Sequence, residues 1–241
     1  MLLLTETPSV PERIVRRKTI VYKSRVDPTI VKLTAEKMKG KLFVKFGFSK
    51  PKPEEVRVVS VDKYYEPYVL IDGKYSIDYY KKRVYMLDVD DKTEGLRILN
   101  QTLKPESVVS PPEEPRKVVR LEAEERLSHE EKAYVILDRS GREVSPDMVP
   151  AAPSEEHPQK ILKDFGKKLG KLKISPRKGM EIVKSRIVKR PPDADRAENE
   201  LFQVSEHAVI YSPIYEIKFR NMKTGEEKII KIDGVTAKII P

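Results

Sequence analysis

Two stretches of this chain share an order of strand-like parts, either as copies of one unit or by chance in a chain rich in Val, Ile and Lys. Residues 65–93 read YEPYVLIDGKYSIDYYKKRVYMLDVDDKT, and residues 211–236 read YSPIYEIKFRNMKTGEEKIIKIDGVT. Each opens on Tyr-x-Pro: Tyr65 with Pro67, and Tyr211 with Pro213. Each runs on as a strand-like segment, at 68–71 and at 214–219. A polar point follows, Asp72-Gly73-Lys74 in the first and residues 221–225 in the second. Each closes on Asp-x-x-Thr, Asp90 with Thr93 and Asp233 with Thr236. The offset is 146 residues at the prolines and 143 at the aspartates, so the second hairpin is three residues shorter. A turn absorbs such a change easily.

Proline lacks the donor that a ladder needs, so it belongs at a strand end, a bulge or an edge. Pro67 is expected to divide a long strand over 56–71 into two arms, and Pro213 to do the same over 201–219. Asp-x-x-Thr is a turn signal, because both side chains bond nearby backbone.

Along the chain, residues 5–12 read as an extended lead. Residues 13–22 read as a basic strand. Asp27-Pro28 is a helix start, with Asp as N-cap, and Gly40 is its expected end. Residues 42–48 alternate in the manner of a strand. Residues 105–115 are a Pro-rich hinge. Residues 117–121 form a short strand, and 133–144 a hairpin turning at Ser140-Gly141. A helix over 159–172 presents Ile161, Leu162, Phe165 and Leu169 on one face. Ser175-Pro176 starts another, stopped by Pro191-Pro192. The expected fold class is therefore α+β, with two related helix-plus-antiparallel-sheet units. The boundaries fall at 1–104, at 105–158 for the Pro-rich linker and acidic hairpin, and at 159–241.

The C-terminal unit, a helix from Pro176 followed by strands ending in KIIKIDGVTAKII, resembles in outline the small cystatin-like α+β modules. Its last strand looks like the closing strand of PepSY modules, with Ala237 where those have Gly after Thr. The resemblance covers the last third of the chain and implies a fold outline, with no function attached.

The net charge of +10 is arranged in blocks. Residues 1–50 hold 12 Lys/Arg against 4 Asp/Glu, and 161–198 hold 12 against 5. Residues 105–160 hold 8 against 13. Basic blocks suit a polyanion, whose condensed counterions Lys and Arg displace. The candidate phosphate contacts are Arg13, Arg16, Arg17 and Lys18, then Lys163, Lys167, Lys168, Lys171, Lys173, Arg177 and Lys178. The alternative is that these lysines fill solvated faces and pair with the acidic middle. Charged residues reach 36%, beside abundant Val and Ile, a balance found in proteins of very hot environments.

Seven of the eleven tyrosines lie in 22 residues, interleaved with cations. Tyr65, Tyr68, Tyr75, Tyr79, Tyr80 and Tyr85 are candidates for stacking bases or for a protein interface. The alternative is that tyrosine forms strands well and pairs across them.

The chain has no Cys, which excludes disulfides, thiolate metal sites and a Cys nucleophile. His129, His157 and His207 stand apart, without ligand spacing. Residues 88–93 lack the Gly and Glu of a calcium loop, and no phosphate loop, dinucleotide fingerprint or nucleophile elbow is present. No apolar run reaches membrane length, and the first residues lack the parts of a signal peptide, so a cytoplasmic location is expected. The sequence points to a non-enzymatic nucleic-acid or ribonucleoprotein-associated factor without a cofactor. The other reading is a scaffold or adaptor binding a protein partner through the tyrosine-rich sheet.

Overall fold

A computed structural model of the chain describes residues 10–43, 52–109 and 115–240. Strands account for 51% and helices for 19%, a mixed α+β content dominated by antiparallel sheet. In chain order the elements are β1 (Glu12–Ile14), β2 (Lys18–Val21), α1 (Pro28–Leu42) and β3 (Val56–Asp88). Then come β4 (Leu96–Ile98), β5 (Gln101–Leu103), β6 (Glu106–Val108), β7 (Arg116–Leu137) and α2 (Pro158–Phe165). The chain ends with α3 (Pro176–Ile187), β8 (Arg196–Asn221), β9 (Glu227–Asp233) and β10 (Ile239–Ile240). The strand order is β10-β9-β8-β3-β7-β6, with β1 and β2 also against β8; β4 and β5 form a separate pair. No helix among the described residues is long and apolar enough to cross a membrane.

The chain divides into two compact units, each assembled from three separated stretches. The first takes Met1–Glu12, Tyr75–Glu131 and Val188–Phe202; the second takes Arg13–Lys74, Lys132–Ile187 and Gln203–Pro241. This grouping interleaves along the sequence, unlike boundaries drawn at residues 104 and 158, because β3, β7 and β8 each contribute to both units.

In the second unit helices cover the sheet. Asp27 caps α1 by accepting from the Thr29 N–H at 2.6 Å, as the Asp-Pro signal predicts. Val31 and Ala35 of α1 pack with Val56, Tyr215, Ile217, Phe219 and Ile232. Gly179, Val183 and Ile187 of α3 are buried at spacings of four, the stripe an amphipathic helix presents to a core. Val69, Ile71 and Leu137 converge on Gly179. A further cluster joins Tyr68, Leu70, Ile136, Val149, Ala208 and Ile210. The first unit contains no helix among its described residues and consists of strand segments and connecting turns.

Several expectations change. The second Tyr-x-Pro stretch is a hairpin, with Ile214 to Arg220 paired to Asp233 to Glu227. The first is not: β3 runs unbroken through Asp72-Gly73-Lys74. A tight hairpin there would need positive φ, and Gly73 is not among the positive-φ residues. Strand partners on both sides outweigh the local Asp-Gly turn preference. One shared hairpin unit therefore does not describe both stretches. α1 passes through Gly40 to Leu42, so the strand expected over 42–48 does not begin at Leu42, and residues 44–48 lie outside the described residues. The helix expected over 159–172 stops at Phe165, where Gly166 takes φ 36° and one 3-10 turn follows. Residues 122–132, charged and without an apolar period, belong to the 22-residue strand β7.

The two prolines do a common job. Tyr65 accepts from the Gly170 N–H at 2.8 Å and pairs in parallel with Leu169. Beyond Pro67 the neighbour on that edge is β7, whose last residue Leu137 lies with Val69 beside Gly179. On β8, Tyr211 is the last partner of β2, and Ile214 is the first partner of β9. Each proline thus occupies the position where its strand changes neighbour, and the missing N–H costs no ladder bond. A glycine meets each one. A Cβ on Gly170 would fall 2.5 Å from Pro67 Cδ, and one on Gly234 would fall 2.7 Å from the Pro213 carbonyl oxygen.

Candidate nucleic-acid interface

The basic arm is held in place by backbone, which leaves its side chains free. Val15 donates to the Val204 carbonyl at 3.2 Å. Lys18 to Val21 pair in parallel with Ala208 to Tyr211, and the Val21 carbonyl accepts from Glu155 at 2.7 Å. Arg13, Arg16, Arg17 and Lys18 are all exposed. Among the described residues no carboxylate pairs with any of the four. α2 lies beside β2, so Lys163 belongs to the neighbouring element, and it too is exposed and has no partner carboxylate among the described residues.

The second basic tract is more mixed. Lys167, Lys171 and Lys173 are exposed and unpaired among the described residues. Lys168 pairs with Asp62 at 3.2 Å. Arg177 and Lys178 both reach Glu181, at 3.4 and 3.6 Å. Helical spacing supplies that carboxylate, so α3 partly neutralises its own first turn.

Lys167 and Lys168 open onto a groove of about 450 Å³ in the second unit. Lys63, Arg139 and Lys231 add positive charge; Asp62, Glu66 and Glu216 add negative. Arg139 meets Glu66 at 3.4 Å, which with the Lys168–Asp62 pair leaves Lys63, Lys167 and Lys231 against Glu216. Lys63 is half-buried, with its ammonium 5.4 Å from the Tyr65 ring centroid, and burial lowers its pKa. Burial raises the Glu66 pKa, against the opposing pull of Arg139. Glu66 Oε2 is buried without a hydrogen-bond partner among the described residues, and the Tyr64 hydroxyl beside Lys231 raises that lysine's pKa. The groove is thus lined by five basic residues against three acidic ones.

The tyrosines divide sharply. Tyr65, Tyr68, Tyr75 and Tyr79 are core residues, with Tyr65 only 1% exposed. Tyr65 stacks edge-on against Phe165 at 4.8 Å. A ring buried in this way has no free face for a base. Burial raises the pKa of Tyr65 and Tyr68 to about 12, which keeps both phenols neutral. Tyr75 donates to Glu200 at 2.8 Å. Tyr80 is half-buried beneath the Arg196 guanidinium, 4.1 Å from its centroid. Tyr85 is 36% exposed and donates to Glu125. The strand-forming account of the tyrosine cluster fits these positions better than a stacking platform does.

His207 is buried, its Nε2 without a partner among the described residues, and burial followed by the charge of Arg17 lowers its pKa. Sequence spacing marked it as isolated; only the fold brings it close to the arm. The residues that sequence reasoning missed are Lys63, Arg139 and Lys231. They come from three separate strands and turns, so no local pattern marks them. No known protein family, curated protein or solved structure matches this chain.

Proposed function

We propose that this chain is a cytoplasmic, non-enzymatic protein that binds nucleic acid, alone or within a ribonucleoprotein, through the basic arm of its second unit. One observation carries the reading. Arg13, Arg16, Arg17 and Lys18 are exposed, lack partner carboxylates among the described residues, and stand on backbone fixed to β8. Unpaired cations on a fixed scaffold suit phosphates, since they lose little entropy on binding and release condensed counterions. Lys163 on α2 and the groove at Lys167 and Lys168 extend the positive surface. Nothing in this surface reads base edges, so recognition of backbone rather than of sequence is expected.

The test is affinity for duplex DNA and single-stranded RNA as a function of salt. Each phosphate contact contributes roughly 0.7–0.9 to the slope of log affinity against log salt. The double variant Arg16→Glu with Arg17→Glu should lower that slope by about two and weaken binding to all sequences alike. Unchanged affinity and slope in the double variant would remove the arm from the interface.

A further inference from the structure

A second groove of the second unit, of about 660 Å³, opens where α1 begins. Three cations from separate places in the chain line it: Arg25 ahead of α1, Lys32 on α1 and Lys63 on β3. Among the described residues no carboxylate pairs with any of the three. The one carboxylate in the lining is Asp27, which is engaged as the cap of α1. Three cations against one carboxylate leave a surplus of two positive charges. The wall is fixed by its own backbone. The Arg25 and Val26 N–H groups both donate to the Gly234 carbonyl, at 2.9 and 3.1 Å. Ser24 Oγ donates to the same carbonyl at 3.1 Å, and the Tyr215 hydroxyl donates to the Val26 carbonyl at 3.3 Å. Buried Val26 and half-buried Val61 supply an apolar side. Lys63 is half-buried, with the rings of Tyr65 and Phe165 at 5.4 and 5.7 Å from its ammonium. Burial lowers its pKa against the opposing pull of Glu155. A partly desolvated ammonium with no carboxylate bonded to it carries a cost that a bound anion relieves.

We propose that this groove binds a small phosphomonoester with a compact, partly apolar body, the class to which nucleoside monophosphates belong. A phosphomonoester carries roughly two negative charges at neutral pH, which matches the surplus, whereas each phosphodiester of a nucleic-acid backbone carries about one. The volume is of the right scale, since small-molecule sites run from about 300 to 1,000 Å³. Arg25 offers a planar fork that takes two phosphate oxygens, and Lys32 and Lys63 act as point charges. Val26 and Val61 lie against the body of the ligand. A wall already fixed by backbone bonds loses little freedom when the ligand enters. The groove shares no residue with the arm over Arg13 to Lys18, so this inference does not depend on nucleic-acid binding.

The test titrates adenosine 5′-monophosphate into the full-length chain and follows backbone amide shifts by NMR. Saturable shifts should fall on residues 24–32 and 61–63. Adenosine, which lacks the phosphate, should leave them in place. Inorganic phosphate, which lacks the apolar body, should bind roughly tenfold more weakly. Lys63→Met keeps the apolar stem and removes the charge, so it should weaken binding by about tenfold or more. Lys63→Arg should recover most of that loss. Arg25→Gln, at an exposed side chain, should weaken binding comparably and leave the amide spectrum elsewhere unchanged. The double variant Arg16→Glu with Arg17→Glu should bind adenosine 5′-monophosphate like the wild type even where it loses nucleic acid, so the two sites fail separately. The proposal is overturned if residues 24–32 do not shift at about 10 mM ligand. It is equally overturned if adenosine or inorganic phosphate binds as tightly as the nucleotide, or if Lys63→Met and Arg25→Gln both bind like the wild type.

Discussion

Residues 68–71 of β3 are all buried, whereas residues 82–86 of the same strand are all exposed. The first group belongs to the second unit, where α1 and α3 bring apolar faces to the sheet. The second belongs to the first unit, where the sheet carries charge on both faces. There, cations are largely used up inside the unit. Lys81 pairs with Asp193 at 2.6 Å, Arg83 with Glu125 at 3.2 Å and Arg116 with Asp88 at 3.1 Å. Arg126 spans Asp78 and Glu198, at 3.2 and 3.1 Å. In the second unit the arm's four cations have no such partners among the described residues. Overall charge is therefore a poor guide to a binding surface. A charged residue that closes a strand pair is occupied, and one left over on a fixed backbone is available.

The largest effect that distinguishes the units is on stability. Tyr65→Ala should cost about 3–5 kcal/mol in denaturant unfolding, the usual cost of deleting a buried aromatic ring. Tyr85→Ala, at an exposed position of the first unit, should cost less than about 0.5 kcal/mol. Similar losses at both sites would contradict the division into a core-built unit and a charge-laced one.

The next effect tests whether the first unit's pairs are structural. Glu200 is 8% exposed on its side chain and accepts from Arg190 Nε at 3.0 Å and from Tyr75 at 2.8 Å. Arg190→Ala leaves that carboxylate short of a partner and should cost about 1–3 kcal/mol. Nucleic-acid affinity should be unchanged, because this arginine is already occupied. Weaker nucleic-acid binding in a stably folded Arg190→Ala variant would show that paired cations contribute to the interface after all.

Much of the second unit's local structure was legible in the sequence, and the reasons are specific. Asp27-Pro28 and Ser175-Pro176 mark helix starts because their signal is local chemistry: a side-chain acceptor, then a residue with no N–H to lose. Asp233 closes its turn by accepting from Val235, Thr236 and the Thr236 hydroxyl at 2.7–2.9 Å, as Asp-x-x-Thr suggests. The long strands were not legible. Asp72-Gly73 resembles a turn, and residues 122–132 lack any apolar period, yet both lie inside strands. Their pairing is decided by partners more than a hundred residues away for β3 with β8, which no window over the sequence contains. The arm's residues were visible as a basic cluster. Which cations were free was not, because pairs such as Lys81 with Asp193 join positions far apart in the chain.

Acid should act in opposite directions on two carboxyls, one in each unit. Hydrogen bonding from Arg190 holds the Glu200 carboxyl below its ordinary value, outweighing the effect of burial. A depressed carboxylate contributes stability above its unfolded pKa and loses it as pH falls through the folded value. Glu66 in the second unit is shifted the other way, by burial, so protonation relieves a cost there. Lowering the pH from 7 toward 3 should therefore reduce amide protection around Glu200 before it does so around Glu66. The Glu200→Gln variant should lose that pH dependence in the first unit. Equal loss of protection in both regions would show that these two carboxyls do not set the acid response.

The smallest effect isolates backbone fit from charge altogether. Ala237 takes φ 60°, a left-handed conformation that costs an L-residue about 1–2 kcal/mol and glycine far less. Its N–H bonds the Asp233 carbonyl at 3.0 Å, so the turn itself enforces the angle. Ala237→Gly should relieve that strain. Part of the gain is offset by the extra freedom of glycine in the unfolded chain, leaving a net increase of about 1 kcal/mol or less. No charge changes, so the pH response and the salt slope of nucleic-acid binding should stay as they are. A gain in stability that leaves both untouched would locate the second unit's stability in its packing and turns, and its binding in the arm that those turns leave unpaired.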